Sequence, residues 1–152
     1  MRAALISSAP ASVSSTAPVA LYPLAVERTY ATELAAAVTR GAVVIDIRTH
    51  AQRALQGTLP GALAIDTDLV AERLDPTRPG RLAVAVDHHV EWILVSAEGS
   101  DSHRTVTDLH QRGLRGVTHL VGGYAAIRAA GMVEAVTEAR HIAEDVARVT
   151  AH

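Results

Sequence analysis

Short apolar runs rich in Val and Ile alternate with helical stretches along this chain, and that alternation restricts its fold more than any other feature. Ala42 to Ile47, Ala62 to Ile65, Val90 to Val95 and Val117 to Val121 read as strands, the first and third mostly apolar and β-branched as in strands covered on both faces. Leu82 to Val86 fits no single pattern. Between the runs lie helical stretches. Tyr30 to Arg40 has Thr29 as candidate N-cap, Leu34, Ala37 and Val38 on one side, and Gly41 as a stop. Thr49 to Gln56, Asp68 to Leu74, a stretch after Ser102 ending at Gln111, and Tyr124 to Ala130 follow. Strands of this kind joined by helices predict an α/β domain with a parallel sheet of about five strands, helices on both faces and right-handed crossovers.

At 152 residues the chain buries roughly two-thirds of its unfolded surface in one core. Residues 1–22, dominated by Ala, Ser, Thr, Val and Pro without periodicity, read as a flexible tail, and Ser7, Ser8 and Pro10 interrupt the apolar run from Ala3 to Ile6. The domain is expected over 23–131. A C-terminal helix and tail take 132–152, where Val133, Val136, Ile142, Val146 and Val149 lie near one face of an amphipathic helix. That helix is expected to pack on its own sheet, with a homodimer or protein partner as the alternative for its apolar stripe.

A formal charge of -2 leaves no electrostatic footprint for nucleic acid or an anionic membrane, and no stretch has the ~18 apolar residues of a membrane span. A cytoplasmic location is the expectation. All fourteen basic residues are Arg, which with the abundant Ala fits the codon bias of a high-GC bacterium. Phe is absent and aromatics make up 3%, so the core has to be aliphatic. Cysteine is absent as well, which removes disulfides, thiolate metal sites and every thiol nucleophile.

After Val95 the chain passes through Ser96, Ala97, Glu98, Gly99, Ser100, Asp101 and Ser102 into a helix. A strand that stops at a helix N-terminus turns successive N–H groups toward one small bowl, where the helix dipole adds positive potential. An anion fits such a bowl. The order of Asp46-Ile47-Arg48, the turn Gly57-Thr58-Leu59-Pro60-Gly61-Ala62, this loop, and Gly122-Gly123 resembles the single-domain rhodanese family over Val26 to Met132. Arg73-Leu74-Asp75-Pro76 resembles a segment of its bacterial members.

The resemblance implies a sulfurtransferase fold whose nucleophilic cysteine sits at the position of Ser96. It also implies that Asp46 and Arg48 tie the first strand to neighbouring loops, and that Gly57, Pro60, Gly61, Gly122 and Gly123 are structural markers. A thiol titrates near ~8.5 and drops by units in such a bowl, whereas an unassisted serine hydroxyl stays protonated. Sulfur transfer through a persulfide should therefore fail. Glu98 and Asp101 place carboxylates beside the bowl, Thr58 stands where the family's His commonly precedes the Pro-Gly-Ala turn, and Ile127 replaces its usual Trp.

The expected function is a non-catalytic protein that binds a small anion or sulfur compound at residues 97–102, or regulates through it, without a cofactor. The alternatives are a residual thiosulfate sulfurtransferase or a serine-dependent hydrolase at the same loop, for which the only local base is His103. Asp101 or Ser102 reads as a helix N-cap. His88-His89, and His103 with His110, lack the i, i+4 spacing or thiolates of a metal site, so no metal is expected and the histidines are assigned to the surface. Because the tail cannot build a core, deleting residues 1–22 should shift the melting temperature by little, as calorimetry of the truncated and full chains would register.

Overall fold

The computed structural model describes residues 28–151; the tail assigned to 1–22 lies outside them. Five strands form one parallel sheet: β1 (Arg28–Thr29), β2 (Val43–Asp46), β3 (Leu63–Ala64), β4 (Trp92–Val95) and β5 (Val117–Leu120), in the order β1-β5-β4-β2-β3. The helices are α1 (Leu34–Thr39), preceded by a 3-10 turn at Ala31–Glu33, α2 (His50–Gln56), α3 (Thr67–Leu74), α4 (Ser100–Gln111), α5 (Gly123–Ala129) and α6 (Ala135–Thr150).

The central strands are apolar without a period because both of their faces are covered. Ile45, Trp92, Leu94 and Val117 pack on one side with Val70, Leu74, Val106 and Leu109 of α3 and α4. Val44, Ile93, Val95 and Leu120 pack on the other with Leu34, Val38, Tyr124, Ile127, Val136 and Ala139 of α1, α5 and α6. With no Phe available, Trp92 is the largest fully buried side chain of a core that is aliphatic apart from it and Tyr124. Parallel strands all end at the same edge, so the loops after β2 and β4 meet there.

Several expectations need correction. Thr29 does not cap a helix: it is in β1, opposite Leu120, and its hydroxyl lies 2.6 Å from that of Thr118. Pairing with the sheet outweighed its local capping tendency, and Tyr30 takes the cap position, its N–H donating to Glu33 Oε1 at 2.9 Å. Leu82 to Val86, to which the sequence assigns no element, is a set of turns, held by the Leu82 N–H on the Arg73 carbonyl, with Ala85 buried and Val84 and Val86 exposed. Along α6, Val136 and Ala139 are buried, but Ile142, Val146 and Val149 are 51, 55 and 74% exposed. Among the described residues the helix outruns the surface it packs on, so its apolar stripe is covered only in the first half.

That division gives a test. Val136→Ala should cost about 2 kcal/mol, the transfer of two methyl-sized groups plus the cavity they leave. Val149→Ala should stay within about 0.5 kcal/mol. Urea unfolding of the two variants would measure the contrast.

Candidate functional site

Ser96 follows the last residue of β4, at the sheet edge where the strand's ladder ends. Its side chain and that of Ser102, in the first turn of α4, are both buried, at 3 and 0% exposure. The Gly99 N–H donates to Ser96 Oγ at 2.9 Å, the Ser96 hydroxyl donates to Ser102 Oγ at 3.1 Å, and the Ser102 hydroxyl donates to the Gly99 carbonyl at 3.0 Å. Both hydroxyl protons are thus committed within a closed ring.

Gly99 itself caps α4, with φ +104, in place of the Asp101 or Ser102 expected from sequence. The chain has to reverse tightly there, and a Cβ on Gly99 would come within 2.9 Å of the Gly122 nitrogen. Ser102 turns inward to the ring instead of capping. Asp101 points outward, 61% exposed, with Oδ1 3.4 Å from Arg104 Nη1. Glu98 and Ser100 are exposed and Ala97 is half-buried, so both carboxylates of the loop face solvent.

Gly122 and Gly123 bring the start of α5 against this loop. Their φ values are +80 and +63, and a Cβ on Gly123 would collide with the Ser96 carbonyl oxygen and lie 2.8 Å from that of Ala97. The approach allows two hydrogen bonds: Tyr124 N–H to the Ser96 carbonyl at 2.8 Å and Ala125 N–H to the Ala97 carbonyl at 3.2 Å.

Beside the loop, Asp46 and Arg48 form a buried pair. Arg48 Nε and Nη2 donate to Asp46 Oδ1 and Oδ2 at 3.0 and 2.8 Å, and the Arg48 N–H adds a third bond to Oδ1 at 3.1 Å. Nη1 donates to Gln56 Oε1 at 3.3 Å, the Arg53 guanidinium donates to the Arg48 carbonyl, and the Tyr124 ring covers the Arg48 guanidinium at 3.9 Å. The sequence reading named Asp46 and Arg48 but missed Tyr124, Gln56 and Arg53. The available signal was a tyrosine, one of three in the chain, directly after the paired glycines.

The turn at Gly57 to Gly61 joins the same assembly. Gly57, at φ +107, leaves room for Tyr124 Oη, which lies 3.5 Å from the Thr58 carbonyl. Pro60 lies in the turn ahead of β3, and Gly61 admits α6: its Cβ would be 3.2 Å from Thr137 Cα, and its carbonyl accepts from Arg140 Nη1 at 3.0 Å. Ile127 is fully buried in the core.

The histidines are not all at the surface. His110 is buried with Nε2 2.7 Å from the Val117 carbonyl, and His119 is buried with its ring edge-on to that of His103 at 5.0 Å. The α4 helix lies on β5, which places both rings at their junction; periodicity within α4 could not reveal that. Among the described residues no group of three or more His, Asp or Glu is placed to hold a metal ion, and no helix is long and apolar enough to cross a membrane.

The model of the Rhodanese-like domain family matches residues 30–130. Among solved structures, a protein of unknown function from Rhodopseudomonas palustris CGA009, described as a possible tyrosine phosphatase, is 22% identical with a TM-score of 0.61, over 80% of this chain and 96% of that one. A human single-domain sulfurtransferase is 20% identical with a TM-score of 0.57, over 68% of this chain and 96% of its own. A rhodanese-related protein from Thermoplasma volcanium is 18% identical at 0.53, over 69 and 93%. At these identities the likeness is one of fold. No curated protein matches the sequence.

Arg48→Ala should lower the unfolding free energy by about 3–5 kcal/mol, because it leaves the Asp46 carboxylate buried without its counter-charge. Arg48→Lys should recover only part of that, since an ammonium cannot reproduce the two-pronged contact. Denaturant titration of both variants would show the order.

Proposed function

The chain belongs to the Rhodanese-like domain family, and from that premise we propose that it is a member without sulfurtransferase activity. In this reading the loop at residues 97–102 binds a small anion or sulfur compound, or regulates through it, in the cytoplasm. The observation that carries it is the ring at Ser96. Transfer through a bound persulfide needs a thiolate that attacks the sulfane sulfur of thiosulfate, breaks the S–S bond and releases sulfite. Here the nucleophile's place holds a buried hydroxyl whose proton is donated to Ser102, in a chain of 152 residues without a cysteine.

The same ring argues against a serine hydrolase. A nucleophilic hydroxyl requires a base to accept its proton, whereas the Ser96 proton runs to a second hydroxyl and from there the chain ends on a carbonyl. What remains favourable at the loop is attraction for an anion. The N–H groups at the start of α4 precede a helix of 12 residues, and the carboxylates of Glu98 and Asp101 are turned to solvent, where screening weakens their repulsion.

Incubation with thiosulfate, a low-molecular-weight persulfide or an activated ester, followed by mass spectrometry, should leave the native protein unmodified; a stable adduct on Ser96 would overturn the proposal. Ser96→Cys should gain the mass of one sulfur atom with thiosulfate, since a thiolate there can accept from the Gly99 N–H. Adding Asp101→Ser should speed that gain, most visibly at low ionic strength.

A further inference from the structure

We propose that Gly123 and the amides of Tyr124 and Ala125 are positioning groups for the anion loop: by holding the carbonyls of Ser96 and Ala97 against α5, they aim the Ala97 and Glu98 N–H groups into the bowl. The inference rests on the anion-binding reading above. It follows from peptide geometry. In a trans peptide the C=O of one residue and the N–H of the next point in opposite directions from one plane, and among the described residues no peptide is cis.

The Ser96 carbonyl is drawn to Tyr124 N–H and the Ala97 carbonyl to Ala125 N–H, both on the α5 side of the loop. The two following amides, on Ala97 and Glu98, therefore point away from α5. Val95 packs on the α5 side of the sheet, so the next side chain, Ser96, points to the opposite side, where it meets Ser102 of α4; the Gly99 N–H closes the loop onto that same Oγ, which puts the concave side away from α5. Three consecutive amides, on residues 97, 98 and 99, then line that concavity. The Gly99 amide is occupied by Ser96 itself, so the selectivity of the bowl falls on the other two.

Only glycine at 123 permits this. A side chain there would need φ near +63 and would place its Cβ into the Ser96 and Ala97 carbonyl oxygens, so the loop would have to move off α5. Tyr124 is anchored in turn by its ring on the Arg48 guanidinium, which Asp46 fixes at the end of β2. The orientation of the bowl amides thus traces back to the buried pair on the neighbouring strand. Positive φ alone is not the point, because Gly131, at the far end of α5, has φ +69 with nothing near its Cβ position.

The test uses the full-length chain in the Ser96→Cys background, where the pH dependence of thiol alkylation by iodoacetamide reports how many amides face residue 96. Ser96→Cys alone should titrate at least about one unit below the ordinary thiol value of ~8.5. Gly123→Ala should return it most of the way, while Gly131→Ala, matched in backbone strain, should leave it unchanged. If Gly123→Ala does not fold, Ala125→Pro decides: in the first turn of α5 it removes the donor to the Ala97 carbonyl, and the constraint it puts on Tyr124 loosens the same contact rather than restoring it. In the Ser96 parent Gly123→Ala or Ala125→Pro should weaken thiosulfate binding about tenfold or more by calorimetry, and Gly131→Ala should not, as expected for losing charge-assisted hydrogen bonds. A depressed thiol value that survives in folded Gly123→Ala or Ala125→Pro would overturn the inference and leave the anion reading standing. An ordinary thiol value in Ser96→Cys itself would overturn the anion reading and the inference with it.

Discussion

A guanidinium with 1% exposure has to be compensated from every side, and the groups that compensate Arg48 are the ones that frame the loop edge of this fold. Asp46 meets it from the end of β2, Gln56 from α2 and the Tyr124 ring from α5. These come from three separate stretches of chain. Burying the pair gains little stability over an apolar replacement, but leaving either partner alone is costly, so the three elements are held to one arrangement. The loop after β4 inherits that arrangement through α5.

In the proposed reading, serine in the place of the family's cysteine changes the chemistry of the loop. The hydroxyl accepts the Gly99 N–H and passes its own proton to Ser102, which closes a small polar network inside an apolar fold. Such a network is favourable only when every member is satisfied, and here both hydroxyls are. A nucleophile requires the opposite condition, an electron pair held ready by a base or by a lowered pKa. Satisfaction of the ring is thus the physical content of the proposed loss of sulfur transfer.

The residues of the candidate site were legible in the sequence as local motifs. Asp46, Arg48, the Gly57 to Gly61 turn, Ser96 and the paired glycines are local motifs whose backbone demands are written in residue type, and they carry the likeness to the family. Their mutual relations were not legible. Ser102 looked like a cap because a hydroxyl near a helix start usually caps; it turns inward because Ser96 offers it a buried partner. Tyr124 was read as the opening of a short helix, since nothing local says that its ring lies on an arginine 76 positions earlier.

What the sequence determined by itself was the class of fold and the limits of its chemistry. Aliphatic runs covered on both faces require a parallel sheet between helices, and a chain without cysteine cannot form an enzyme persulfide. Tertiary structure alone decided which polar groups are satisfied and which apolar ones stay wet. The edge strand Arg28–Thr29 exists because β5 offers it a ladder, and His110 and His119 are buried because α4 lies on β5. Among the described residues the apolar stripe of α6 is covered at Val136 and exposed at Val149, because the described body it packs on ends sooner than the helix does. Periodicity reports the faces of one element, whereas burial depends on the extent of another, and that extent is set only when the chain has folded.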